Sequence, residues 1–251
     1  MFNYPPIFFL FSWFILWLAS QIGASLGKRR PLREDEREDF GVIQAANLTL
    51  LGLLIGFTFS MAVSRYDLRK TYEEAEANAI GTEYVRAGLL PESDAATVHT
   101  QLKKYVDLRV SFYQTHDHDG LGQINSDTEK LQSDMWSVVQ AAAVARPTPV
   151  TALAAAGMND VLNSQGYTQA AWWNRIPVLA WVLLIVIAVV CNVLIGYGVR
   201  SNEARQGMIF VLPLVVSISF FLISDIDSPR RGFIHVTPQN LIALSQSLRN
   251  Q

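Results

Sequence analysis

Residues 50–72 read LLGLLIGFTFSMAVSRYDLRKTY. Residues 50–64 suit a hydrocarbon environment, and the chain from Arg65 onward does not. Extended backward, the uncharged stretch covers 40–64, and residues 1–27, 176–199 and 206–224 are equally free of Asp, Glu, Lys and Arg. Each gap is close to the roughly 20 residues a helix needs to cross the hydrocarbon core of a bilayer. Half the chain is hydrophobic and only 17% is charged, where a soluble chain carries about a quarter. Four such gaps in 251 residues define an integral membrane protein.

The first gap has no basic start and carries Trp13 and Trp17 within a long apolar run. That is the pattern of a retained span rather than a cleaved leader. The map outward from 50–72 is therefore span 1 (6–27), a charged loop (28–39), span 2 (41–64), a polar segment (65–175), span 3 (176–199), a loop (200–206), span 4 (207–224) and a tail (225–251). Four spans put both termini on one side. Lys and Arg near the spans number seven on each side, so the positive-inside rule does not orient the chain.

The polar segment holds 10 Lys and Arg and 14 Asp and Glu. Its apolar residues recur at helical spacing: Val98, Leu102, Tyr105, Leu108 and Phe112, then Ile124, Leu131, Met135, Val138 and Ala142, then Val150, Leu153, Ala154, Met158, Val161 and Leu162. Three amphipathic helices follow. Pro91, Gly120, Gly122, Pro147, Pro149 and Gly166 punctuate them, and a further helix over 66–90 continues from span 2. The expected fold is an all-α integral membrane protein: four transmembrane helices with a helical soluble domain inserted between helices 2 and 3 and continuous with both. Its domains are 1–64, 65–175, 176–224 and a tail, 225–251.

Span 2 carries the functional signal. Thr49, Leu53, Phe57, Ser60 and Ser64 lie close to one helical stripe, and Gly52 and Gly56 form a second stripe beside it. Small residues at this spacing let helices pack closely in lipid. An apolar and hydroxyl stripe suits the wall of a narrow pore, and apolar constrictions gate by dewetting. The bland alternative is that Phe57 packs against a neighbour and the hydroxyls bond their own backbone. Arg65 is either a pore-mouth charge or an interfacial anchor. Glu73, Glu76 and Glu83 share a face that is either an ion-attracting ring or a hydrated helix surface. Trp172 and Trp173 sit where interfacial aromatics belong.

Other chemistry is thin. The single cysteine, Cys191, reads as a packing residue. THDHDG at 115–120 reads as a turn more readily than as a metal site. The four histidines make no ligand pair on a helix, and no nucleotide or nucleophile motif is present. No cofactor or metal is expected, and a net charge of −2 gives no reason to expect a nucleic-acid partner.

Several motifs together resemble the bestrophin family. Leu54, Gly56, Phe57, Ser64, Arg65 and Tyr66 match its second membrane helix, and DIDSPRRGFIHVTPQNL at 225–241 matches the acidic-proline motif after its fourth. SRYD at 64–67, EANAIGT at 76–82 and the D-x-P-x-x-G pattern at 227–232 are similar to bacterial bestrophin-like membrane proteins, once classed as a domain of unknown function. The resemblance covers nearly the whole chain. It implies a homo-oligomeric ion channel, a pentamer in the bacterial inner membrane, with the soluble domain and both termini cytoplasmic. It also implies a hydrophobic neck at Thr49, Leu53 and Phe57, of which only Phe57 keeps the family's aromatic. Inorganic ions and membrane lipid would be its partners. The eukaryotic calcium clasp is not expected, since the tail offers only Asp225 and Asp227 before Arg230 and Arg231, and a calcium site wants six to eight oxygens. The alternative function is a non-conducting membrane scaffold or sensor. Ion selectivity is open: Arg65 favours anions, the glutamate face cations.

Overall fold

The computed structural model describes residues 4–199 and 202–250. Among them the regular structure is entirely helical: α1 (Pro5–Arg29), α2 (Glu36–Ala87), α3 (Glu92–Gln114), α4 (His118–Ala145), α5 (Pro149–Trp173), α6 (Val178–Gly198), α7 (Asn202–Asp227) and α8 (Gln239–Arg249). Among the described residues four helical stretches are long and apolar enough to cross a membrane, and they cover the four expected spans to within two residues at their ends. Arg200, in the expected 200–206 loop, lies outside the described residues.

The chain forms two compact units, residues 1–65 with 175–235, and residues 66–174 with 236–251. In the first, α1 packs against α6 and α7. Phe8 meets the Trp181 ring edge-on at 5.3 Å and stacks with Phe220 at 6.3 Å. Backbones approach closely where small residues permit it. A Cβ on Gly23 would stand 2.0 Å from the Val193 carbonyl oxygen, and one on Gly196 would stand 2.0 Å from that of Ser20. A Cβ on Gly27 would stand 2.5 Å from the Tyr197 carbonyl oxygen. Beside them the Ser20 hydroxyl donates to Asn192 Oδ1 (3.1 Å), and both residues are fully buried. Such interhelical hydrogen bonds satisfy polar groups that lipid cannot.

The second unit has its own core, which includes Ile80, Val98, Leu102, Tyr105, Phe112, Met135, Met158 and Val161. The expected stripes supply nine of its buried residues, fewer than half, and Val150 and Leu153 of the third stripe are exposed. Four further details differ from expectation. Gly120 and Gly122 lie inside the first turns of α4, because Asp117 caps that helix earlier by accepting from the Gly120 N–H (3.0 Å). Gly166 sits within α5; nothing approaches its Cβ position, and one glycine costs a helix only about 1 kcal/mol. Trp172 is buried against Phe112 (5.1 Å) and Tyr113 (5.3 Å), a core residue rather than an interfacial anchor. The tail is not featureless: α8 buries Leu241 and Leu248 in this core.

Continuity also differs between the two ends of the polar segment. α2 runs unbroken for 52 residues, roughly 78 Å at 1.5 Å per residue. α5 stops at Trp173 and α6 starts at Val178. Pro177 disfavours helical geometry at the residue before it, and the Ile176 N–H donates to both oxygens of Asp227 (3.2 Å each).

Candidate functional site

α2 is amphipathic in an unusual sense. In its apolar window only 6% of the residues are buried within the chain, against 39% for α1 and 50% for Ile209–Asp227. The few that are buried in the membrane unit, Leu51, Thr58 and Ala62, lie on one line. Each residue turns the helix by about 100°, so 58 and 62 each fall within about 20° of 51, and the three span about 40°. On the same side the Asn47 carbonyl accepts from the Cys191 thiol (3.3 Å). Cys191 is buried, as a packing residue.

By the same rotation Thr49, Leu53, Phe57, Ser60 and Ser64 centre on the opposite side of the helix. All five are exposed in the single chain, Leu53 at 54% and Phe57 at 67%. The Thr49 hydroxyl donates to the Ala45 carbonyl (2.9 Å), which satisfies it without a partner helix. Gly52 and Gly56 are also open: nothing lies within 4 Å of a Cβ built on either. Close helix approach inside the chain is made by Gly23, Gly27 and Gly196 instead. Their signal in the sequence is the G-x-x-x-G spacing at 23–27. Arg65 is half-buried and ends the first of the two chain segments that make up the membrane unit.

The glutamates occupy different ground from an exposed face. Glu73, Glu76 and Glu83 are all buried, Glu83 at 0% exposure, while their neighbours Glu74 and Asn78 are exposed. Glu76 pairs with the buried guanidinium of Arg109 and accepts from the Thr168 hydroxyl (3.0 Å). Arg109 in turn lies 4.3 Å over the Phe112 ring. Glu73 accepts from the Leu241 N–H (2.9 Å) and from Asn240 Nδ2 (2.6 Å), fastening the start of α8. Glu73 and Glu76 look inward because α3, α5 and α8 bring donors to them, whereas Glu83 is buried without a hydrogen-bond donor. One helix read alone shows only their shared face.

The acidic-proline motif is structural in detail. Asp225 accepts from the N–H groups of Phe233 and Ile234 (2.8 Å each). The turn closes with Gly232 N–H on the Ser228 carbonyl (3.0 Å), and a Cβ on Gly232 would stand 2.2 Å from the Asp225 carbonyl oxygen. Asp225 and Asp227 thus spend their oxygens on backbone N–H groups. No cluster of three or more metal-ligating side chains occurs among the described residues.

Fold and motifs together define a helical polytopic membrane protein with a second, helical unit. The Bestrophin-like domain matches residues 7–241, and the chain belongs to that family. Among solved structures it is similar to two point mutants of a bacterial bestrophin homologue from Klebsiella pneumoniae. One has a TM-score of 0.67 at 12% identity, covering 96% of this chain and 97% of that one. The other has a TM-score of 0.66 at 12% identity, covering 96% and 98%. A variant described only as a membrane protein gives 0.67 at 11% identity, covering 96% and 97%. At these identities the likeness is one of fold. Comparison with curated proteins gave no match.

Proposed function

We propose that the chain is the protomer of an oligomeric ion channel whose pore is lined by α2. The observation that carries this reading is the division of α2 into two faces. One, with Leu51, Thr58 and Ala62, is spent on the chain's own packing. The other, with Thr49, Leu53, Phe57, Ser60 and Ser64, is exposed along its whole length. A face rich in hydroxyls gains little from lipid tails and more from water and from copies of itself about a symmetry axis. A pentamer, as in bestrophins, would set five Phe57 rings at one level and form an apolar constriction. Gly52 and Gly56, open in the single chain, would admit the neighbouring protomer's helix.

Arg65 would mark the pore mouth. Residues 66–174 and 236–251 would form the soluble domain on the cytoplasmic side of the inner membrane. The buried positions of Glu73, Glu76 and Glu83 argue against these three as a cation-attracting ring. The test is liposome flux of purified protein, with anion and cation gradients assayed separately. Phe57→Ala should widen and wet the constriction and raise flux. A stable monomer, or an intact oligomer without flux in either form, would remove the proposal.

A further inference from the structure

α2 and α5 run side by side in the second unit, joined by a ladder of contacts. Arg69 Nε donates to the Ala171 carbonyl (3.3 Å). The rings of Tyr72 and Tyr167 stack at 5.9 Å. Glu76 accepts from Thr168, and Arg86 faces Asp160 across 3.8 Å. Between the last two rungs sits Glu83. Its side chain is wholly buried, and neither carboxyl oxygen has a hydrogen-bond partner. It lies directly on α5 at Gly157, where an added Cβ would stand 2.0 Å from Glu83 Oε2 and 2.8 Å from Arg86 Nη1. A glycine at this point lets the carboxyl group enter the helix contact.

An unpartnered carboxylate in such a place is costly, and a neutral carboxylic acid is far less so. We propose that Glu83 is a proton-operated latch: protonated, it seats α5 against α2 at Gly157, and ionised, it weakens that contact. Burial pushes the Glu83 carboxyl up to about 8; Arg86 on its own helix lowers it, and Asp160 on α5 raises it. On α3, His99 and Lys103 are engaged with Tyr84: the His99 ring stacks on the tyrosine at 4.2 Å and its Nε2 lies 2.8 Å from the Tyr84 carbonyl oxygen, while Lys103 Nζ lies 5.8 Å from the ring centre.

The sign follows from linkage. An opened α5 exposes Glu83, whose pKa returns to an ordinary glutamate value near 4.3. The closed contact keeps its full strength below that value and loses it as pH rises towards about 8. Between the two, opening becomes about tenfold more frequent per pH unit, and it levels off above the upper value. The latch therefore slackens across the neutral range.

Amide hydrogen exchange of the full-length protein in nanodiscs, followed by mass spectrometry, tests this. For α5 peptides covering 154–160, wild type should exchange about tenfold faster per pH unit than the chemical rise alone between about pH 5 and 8, then level off. Glu83→Gln should show only the chemical rise. Asp160→Asn should move the levelling-off point to lower pH, and it decides the matter alone if Glu83→Gln fails to fold. An excess that persists in Glu83→Gln, no excess in wild type, or an unmoved levelling-off point in Asp160→Asn would each overturn the latch.

Discussion

At the scale of single residues, the structure turns on groups whose neighbours leave no alternative. Glu76 and Arg109 are both fully buried and paired. Glu76→Ala leaves a buried guanidinium without its counter-charge and should cost about 3–5 kcal/mol, read as a lowered midpoint of thermal or chemical unfolding. Gly196→Val drives a branched side chain into the Ser20 backbone, and overpacking of this kind costs about 1–3 kcal/mol or more. The matched control is Gly166→Ala, in open space, which should stabilise α5 by up to about 1 kcal/mol. Equal melting behaviour for the two glycine variants would contradict the packing assigned to α1 and α6. Legibility differed sharply among such residues. Helical spacing showed that Glu73, Glu76 and Glu83 share a face. It could not show which way the face points, because Arg109, Thr168 and Leu241, the partners of Glu76 and Glu73, come from three other helices.

At the scale of elements, the sequence was most legible where one physical rule acts along a continuous run. Uncharged stretches of spanning length located α1, α2, α6 and α7, and apolar periodicity located α3, α4 and α5. Junctions were less legible. The break at 174–177 depends on Pro177 together with Asp227, fifty residues away along the chain, and α8 was passed over although Leu241, Leu244 and Leu248 carry its spacing. For α2, the helix phase makes a direct prediction. In a background where Cys191 is replaced by Ala, single cysteines at 49, 53, 57, 60 and 64 should react with a membrane-impermeant thiol reagent. Cysteines at 51, 58 and 62, buried against the chain's own helices, should not. Reactivity without helical periodicity, or confined to the second set, would place the water path elsewhere.

At the scale of the whole molecule, the central fact is a membrane helix that the chain itself scarcely covers. The other spans satisfy one another through aromatic contacts, close glycine approach and the Ser20–Asn192 hydrogen bond. α2 keeps one face for the chain and offers the other outward. Self-association therefore belongs to the account, and mass measurement in native lipid should find a homo-oligomer. The most direct measurement compares flux into liposomes for wild type and Phe57→Ala, with the oligomer's mass verified on the same preparations. Phe57 is two-thirds exposed in the single chain, so its truncation leaves the protomer's own core intact. The account predicts an intact oligomer and a several-fold rise in flux for Phe57→Ala; an intact oligomer whose flux is unchanged or absent would contradict it.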